Sequence, residues 1–235
     1  MGKIRMTHDR TLKMMQFSIL IALTVVLQLL CSVMIIGPVT ITLSLVPVVI
    51  GAALFGASGG ALLGFVLGLV NFIASFSNSA LLFLFQSSPV LYILTCFGKT
   101  VAAGAVAGLL YKVLRERHPY VGVTVAALSA PVVNTGIFFV MMALFFRDAI
   151  ATAFANYITG NVVAFIITGF IGINFLIEFA LNVVLCPAIA RIIAVIRAHY
   201  SASHVTATAS PETVSDRDAG DEKTVSGAED TEPRA

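Results

Sequence analysis

From residue 14 to residue 200 the chain is a succession of long apolar runs, and away from the ends of those runs it carries two ionisable side chains, Lys99 and Glu178. A stretch of about 20 apolar residues matches the hydrocarbon thickness of a bilayer. At that depth each backbone N–H and C=O has to be satisfied within the segment, so the runs are expected to be helices. A mean hydropathy of +0.98 with 11% charged residues excludes an ordinary soluble domain. Charges at bilayer depth are costly unless they face a cavity or a partner, which makes Lys99 and Glu178 the first candidates for a site.

The expected fold is an all-α integral membrane protein with six transmembrane helices, at about 14–36, 43–55, 61–76, 89–114, 120–146 and 160–196. Gly37-Pro38 ends the first, because proline cannot donate to the helical ladder. Gly56-Ala57-Ser58-Gly59-Gly60 turns the short second helix back into the third as a tight helical hairpin. Residues 80–85, bracketed by Ser77, Asn78, Ser79, Gln86 and Ser87, are too few to span and read as a re-entrant or interfacial piece. The basic start, residues 1–13, resembles a signal peptide, but the apolar run after it is too long and lacks a small-residue cleavage site, so it reads as a retained first helix. Residues 14–200 form the membrane domain. Residues 201–235 hold eight acidic residues against Arg217, Lys223 and Arg234, with little apolar mass, and are expected to be a disordered acidic tail.

Positive residues in short loops stay in the cytoplasm. Lys3, Arg5, Arg10, Lys13, Lys112, Arg115, Arg117, Arg191 and Arg197 fall on the side shared by the two termini, against Arg147 opposite. Both termini are therefore expected to be cytoplasmic, with external segments at about 37–42, 77–88 and 147–159.

Asn174, Glu178 and Asn182 recur at i, i+4 and i+8, one face of the sixth helix. They serve either as interhelical glue or as ligand contacts. Lys99 is surrounded in sequence by Gly98, Ala102, Ala103 and Gly104, and three readings stand side by side: it binds an anionic ligand, bridges to Glu178, or snorkels outward. Asn134 and Thr135 follow Pro131, where a loosened helix exposes backbone carbonyls. Helices four, five and six thus each bring polar groups inward, as a pocket for a small polar molecule requires. Asn78 and Gln86 in the second external segment could cap it.

Gly56, Gly60, Gly64 and Gly68 give the third helix a smooth face for close backbone approach, and Ser18 with Ala22 make a small-xxx-small pair on the first. Gly56-Ala57-Ser58-Gly59 spells the nucleophile motif of intramembrane serine proteases, but all four histidines fall in cytoplasmic segments, so no base is available. Cys31, Cys96 and Cys186 lack metal-site spacing, and there is no phosphate-binding glycine loop. Neither an enzyme nor a cofactor or nucleic-acid binder is expected.

The run Leu43-Ser44-Leu45-Val46-Pro47-Val48-Val49-Ile50-Gly51-Ala52-Ala53-Leu54-Phe55-Gly56, the glycines from Gly59 to Gly68, Gly98-Lys99 with the small residues up to Tyr111-Lys112, Val133-Asn134-Thr135, and Glu178 to Pro187 resemble the substrate-binding S components of energy-coupling factor (ECF) vitamin transporters. Among these the pattern is most similar to the pantothenate-type members. The resemblance implies a bacterial plasma-membrane protein that captures a vitamin outside and delivers it by reorienting on a transmembrane coupling subunit driven by two ABC ATPases. It also implies that Ser18 and Ala22 contact the coupling subunit. Pantothenate offers a carboxylate, an amide and two hydroxyls; Lys99 could take the first, and Asn134, Asn174 and Asn182 the others. Riboflavin, folate or thiamin would call on Phe72, Phe76, Phe83, Phe85, Tyr92 and Phe97, and the chain has no Trp. Two other classes remain open: a proton-coupled transporter using Glu178 and Lys99, and a membrane scaffold in which the polar groups are helix glue.

Overall fold

The structure, a computed structural model, describes residues 2–32, 35–36, 39–40, 44–158 and 160–206. It is all-α apart from one two-residue β hairpin. Helix α1 spans Gly2–Ser32, β1 (Ile35–Ile36) pairs antiparallel with β2 (Val39–Thr40), and α2 spans Leu45–Ser75. A short α3 (Ser79–Ser87) precedes α4 (Pro89–Leu114) and α5 (Pro119–Phe145). Short α6 (Arg147–Ala153) and α7 (Val162–Phe165) lead through a π-helical stretch, Ile166–Gly172, into α8 (Ile173–Thr206). Five of the described helices are long and apolar enough to cross a membrane: α1, α2, α4, α5 and α8.

The sixth passage lies inside α2. Gly56 has φ 78° and ψ −168°, a conformation open essentially to glycine alone, and the chain reverses there. A Cβ on Gly60 would meet Ala52 Cβ at 2.7 Å, and one on Gly51 would strike Leu63 Cδ1. In a straight helix residues eight apart are about 12 Å from each other. The expected hairpin is thus present, with limbs 45–55 and 57–75; the first rises about 16 Å, short of a full hydrocarbon span.

Three boundaries differ from expectation. Helix α1 runs through the basic segment from Gly2, where no proline or further glycine interrupts it, and it ends at Ser32; residues 35–36 join the β hairpin. The 80–85 piece is a helix, α3, capped by Asn78. The region read as one helix from 160 to 196 is divided by the π-helical stretch, which contains Gly169 and Gly172, residues that add little side-chain support to a regular α turn. Of the tail expected over residues 201–235, residues 201–206 are the helical end of α8, and those from 207 lie outside the described residues. The chain divides into two compact units, 1–193 and 194–235.

Candidate functional site

The second limb of α2 and helix α4 pack antiparallel along a seam of small residues. A Cβ on Gly108 would meet Ala57 Cα at 2.6 Å. Gly60 and Gly104 abut each other's carbonyl groups, a Cβ on Gly64 would meet the Thr100 carbonyl carbon at 2.8 Å, and one on Gly68 would meet Cys96 O at 3.0 Å. Contacts step four residues at a time along both helices, so Cys96, Thr100, Gly104 and Gly108 form the face of α4 that lies on α2. Of the Gly56/Gly60/Gly64/Gly68 face expected for packing, the last three are used in this way, while Gly56 forms the hairpin turn. It fixes the rotation of α4 about its own axis.

Lys99 precedes Thr100 and is therefore turned about 100° from the seam, onto α5. Its Nζ sits 4.7 Å from the centroid of the Phe138 ring, a cation–π contact. Phe138 is one helical turn from Asn134 on α5, so the two share a face. Asn134 is 4% exposed, and its Oδ1 has no hydrogen-bond partner among the described residues. On α8, Glu178 and Asn182 are each 1% exposed and stand one turn apart. Asn182 Nδ2 donates to the Glu178 backbone carbonyl at 2.8 Å, which fixes the direction of its amide; its Oδ1 is buried with no hydrogen-bond partner among the described residues. The Asn174 side chain lies outside the described residues.

Lys99 and Asn134 occupy a layer between two apolar clusters. On one side Ala103, Ala107 and Tyr111 of α4, Ala126, Ala127 and Ala130 of α5, and Cys186, Ile189 and Ile193 of α8 join one core with the α2 hairpin. On the other side Tyr92 and Cys96 of α4, Phe138 and Met142 of α5 and Phe146 just after it join Leu81 and Leu84 of α3. Lys99 and Asn134 lie in sequence between the members of the two clusters on their own helices. Glu178 and Asn182 lie on α8 just before its residues in the first cluster. The rings around the second cluster are engaged with one another: Phe72 meets Phe76 and Phe85 edge to face at 5.2 and 5.7 Å, and Tyr92 meets Phe146 at 6.5 Å.

The remaining candidates stand apart from this layer. Asn78 caps α3, its side-chain oxygen accepting from Ala80 N at 3.0 Å and Leu81 N at 3.4 Å. Gln86 is exposed on the same helix. Ser18 and Ala22 are exposed on α1, and Ser18 Oγ donates to the Met14 carbonyl. Ser18 also lines an open groove of about 400 Å³ with Phe17, Phe55, Ser58 and Leu62.

The sequence profile of the ECF transporter substrate-specific component family matches residues 12–190 of the 235. The chain belongs to the ECF S-component family. Neither curated proteins nor solved structures give a match. As an S component it is the substrate-binding membrane subunit of an ECF importer, works with the ECF module in the membrane, and is a transporter subunit and not an enzyme.

Sequence reasoning about this S component missed Phe138, one of 17 phenylalanines with nothing in its neighbours to mark it as the seat of Lys99. It also passed over Gln28, fully buried on α1 among apolar residues, although a lone amide in an apolar run is itself a signal.

Proposed function

We propose that this S component binds pantothenate or a closely similar hydroxylated acid, in the layer formed by Lys99, Asn134, Glu178 and Asn182, with Asn174 as a further contact. The observation that supports this reading is the pair of buried acceptors, Asn134 Oδ1 and Asn182 Oδ1, together with the position of Lys99 and Asn134 between two apolar clusters on α4 and α5. Unmade buried hydrogen bonds cost about 1–3 kcal/mol each, and a ligand with two hydroxyls and an amide N–H supplies donors for them. A carboxylate draws Lys99 from the Phe138 ring into a charge-assisted hydrogen bond, roughly twice as strong as a neutral one. Glu178 sits one turn from Asn182 and accepts a ligand hydroxyl or orients Lys99. The mutual packing of Phe72, Phe76, Phe85 and Tyr92 supports a non-aromatic ligand, because those ring faces are filled by each other.

In this proposal the termini are cytoplasmic, the protein resides in the bacterial plasma membrane, and the vitamin enters from the side of α3 and α6. Ser18 and Ala22 form the docking surface for the coupling subunit, whose two ABC ATPases supply the energy. The test is thermal stability of the purified protein against pantothenate, riboflavin, thiamin and folate. A ligand of the folded state stabilises by about 2.7 kcal/mol at one hundred times its dissociation constant. A shift with pantothenate that disappears in Lys99→Ala and Asn134→Ala is expected. Unchanged affinity in both variants refutes the site, and a shift with another vitamin refutes the substrate.

A further inference from the structure

A second buried polar centre lies outside this layer, where α1 meets the α2 hairpin. Ser44 Oγ donates to Gln28 Oε1, and Gln28 Nε2 donates to Asn71 Oδ1. Ser44 and Gln28 are both fully buried. The chain of donors is directional: the Ser44 proton occupies the Gln28 oxygen, which turns the Gln28 amino group toward Asn71 and leaves the Asn71 amino group at the end. Asn71 Nδ2 is buried and has no hydrogen-bond partner among the described residues. Interhelical glue ends on a satisfied group; this chain ends on a donor that has given nothing away, and such a group calls for a cause.

Its place in the fold supplies one. Extending the α2–α4 register outward from Gly68 and Cys96 sets Asn71 level with Ile93, about 9 Å along the axis on the outer side of Lys99. The next residue, Phe72, packs on Tyr92 and Phe97 of α4, at 6.5 and 6.4 Å between ring centroids, which ties this end of α2 to the stretch of α4 that carries Lys99. We infer that Asn71 contacts the substrate, donating Nδ2–H to an acceptor oxygen at the end of the ligand remote from Lys99, and that Gln28 and Ser44 are positioning residues that hold its amide in that direction. The inference rests on the substrate layer proposed above and adds a requirement to it. The ligand must be long enough to cover an axial offset of about 9 Å between Lys99 and Asn71 as well as the lateral distance between their helices, with an anionic group at one end and a carbonyl, carboxylate or hydroxyl oxygen at the other. The contact brings α1 and α2 into recognition, beside α4, α5 and α8.

The experiment measures dissociation constants for pantothenate, riboflavin, thiamin and folate by calorimetry on the full chain in nanodiscs, with the unfolding temperature of each ligand-free variant. Asn71→Leu removes the end donor but strands Gln28 Nε2 in its place, one buried donor for another, so its ligand-free unfolding temperature stays near wild type. Its dissociation constant for the bound vitamin is expected to rise about tenfold or more, the cost of one buried hydrogen bond. Gln28→Leu keeps the donor but not its aim, so it weakens binding less. If Asn71→Leu fails to fold, Asn71→Asp, isosteric and still able to accept from Gln28, replaces it, with weakened binding again expected. A wild-type dissociation constant in Asn71→Leu or Asn71→Asp overturns this inference alone and marks the chain as packing between α1 and α2. Wild-type protein that binds none of the four vitamins overturns it together with the proposed substrate layer.

Discussion

Replacing Gly60 by alanine tests the seam that orients α4. The new Cβ would stand 2.7 Å from Ala52 Cβ and 2.9 Å from the Gly104 carbonyl carbon. Carbon atoms pack at about 3.5–4.0 Å, so α4 or the opposite limb of the hairpin must retreat by about 1 Å. On the α4 side the obstacle is backbone, which cannot rotate aside as a side chain can. Overpacking of this kind costs about 1–3 kcal/mol. The better helix propensity of alanine returns up to about 1 kcal/mol, and the expected net loss is about 1–2 kcal/mol. At roughly 2–4 °C per kcal/mol for a chain of this size, Tm falls by about 2–8 °C. Gly98→Ala on α4 is the matched control, because a Cβ there meets nothing within 4 Å and only the propensity gain remains. Cys31, Cys96 and Cys186 are buried and free, so a thiol-reactive fluorophore reads unfolding in detergent without an added label. Equal losses in Gly60→Ala and Gly98→Ala, or no loss in either, would refute the seam as the constraint on α4.

Gly56→Ala is expected to lower Tm for a different reason: nothing crowds the position, but φ 78° with ψ −168° costs a non-glycine residue about 1–3 kcal/mol; a wild-type Tm in the same thiol assay would mean the hairpin turn relaxes freely. Asn78→Ala removes the two cap hydrogen bonds of α3 and should cost about 1 kcal/mol, seen as faster amide exchange across Ser79–Ser87 and reversed in Asn78→Ser; a loss of vitamin affinity with α3 exchange unchanged would instead assign Asn78 to the ligand. Ser18→Leu fills the exposed small-residue surface of α1 and is expected to abolish ATP-driven uptake with the ECF module while leaving the vitamin dissociation constant as in wild type; retained uptake would free Ser18 from any docking role.

What the sequence reveals and what it conceals divide along physical lines. Apolar length and the Gly56-to-Gly60 turn predict the spans and the hairpin, because both depend on local chemistry: backbone satisfaction in lipid and the positive φ of one glycine. The burial of Asn134, Glu178 and Asn182 follows from the cost of exposing polar groups to lipid, and all three are 4% exposed or less. The contact between Lys99 and Phe138 depends on how α4 and α5 are rotated relative to each other, which no local pattern encodes. The chain from Ser44 through Gln28 to Asn71 joins residues 16 and 43 positions apart, and each looks unremarkable in its own run. Asn78 carries two signals at once. A side-chain oxygen directly before a short helix is a readable N-cap signal, and among several serines it also reads as part of a polar mouth.

The glycine repeat and the buried lysine are separate features of the sequence, one belonging to packing and the other to binding, and the structure makes the second depend on the first. Close approach of α2 along Cys96, Thr100, Gly104 and Gly108 leaves α4 no freedom to turn about its axis, since each step of the seam is a backbone contact. Once that face is committed, Lys99 and Ala103 have one direction left, toward α5, where Phe138 and Asn134 stand one turn apart. Ala103, 0% exposed, closes against the apolar core one turn to one side of Lys99, while Cys96 on the other side belongs to the aromatic cluster. The lysine is therefore held at one depth and one bearing without an ion pair having to fix it. Its contact with an aromatic face is worth about 0.5–2 kcal/mol. That is enough to seat the cation in an apolar surround, and weak enough for an anionic ligand to draw it away.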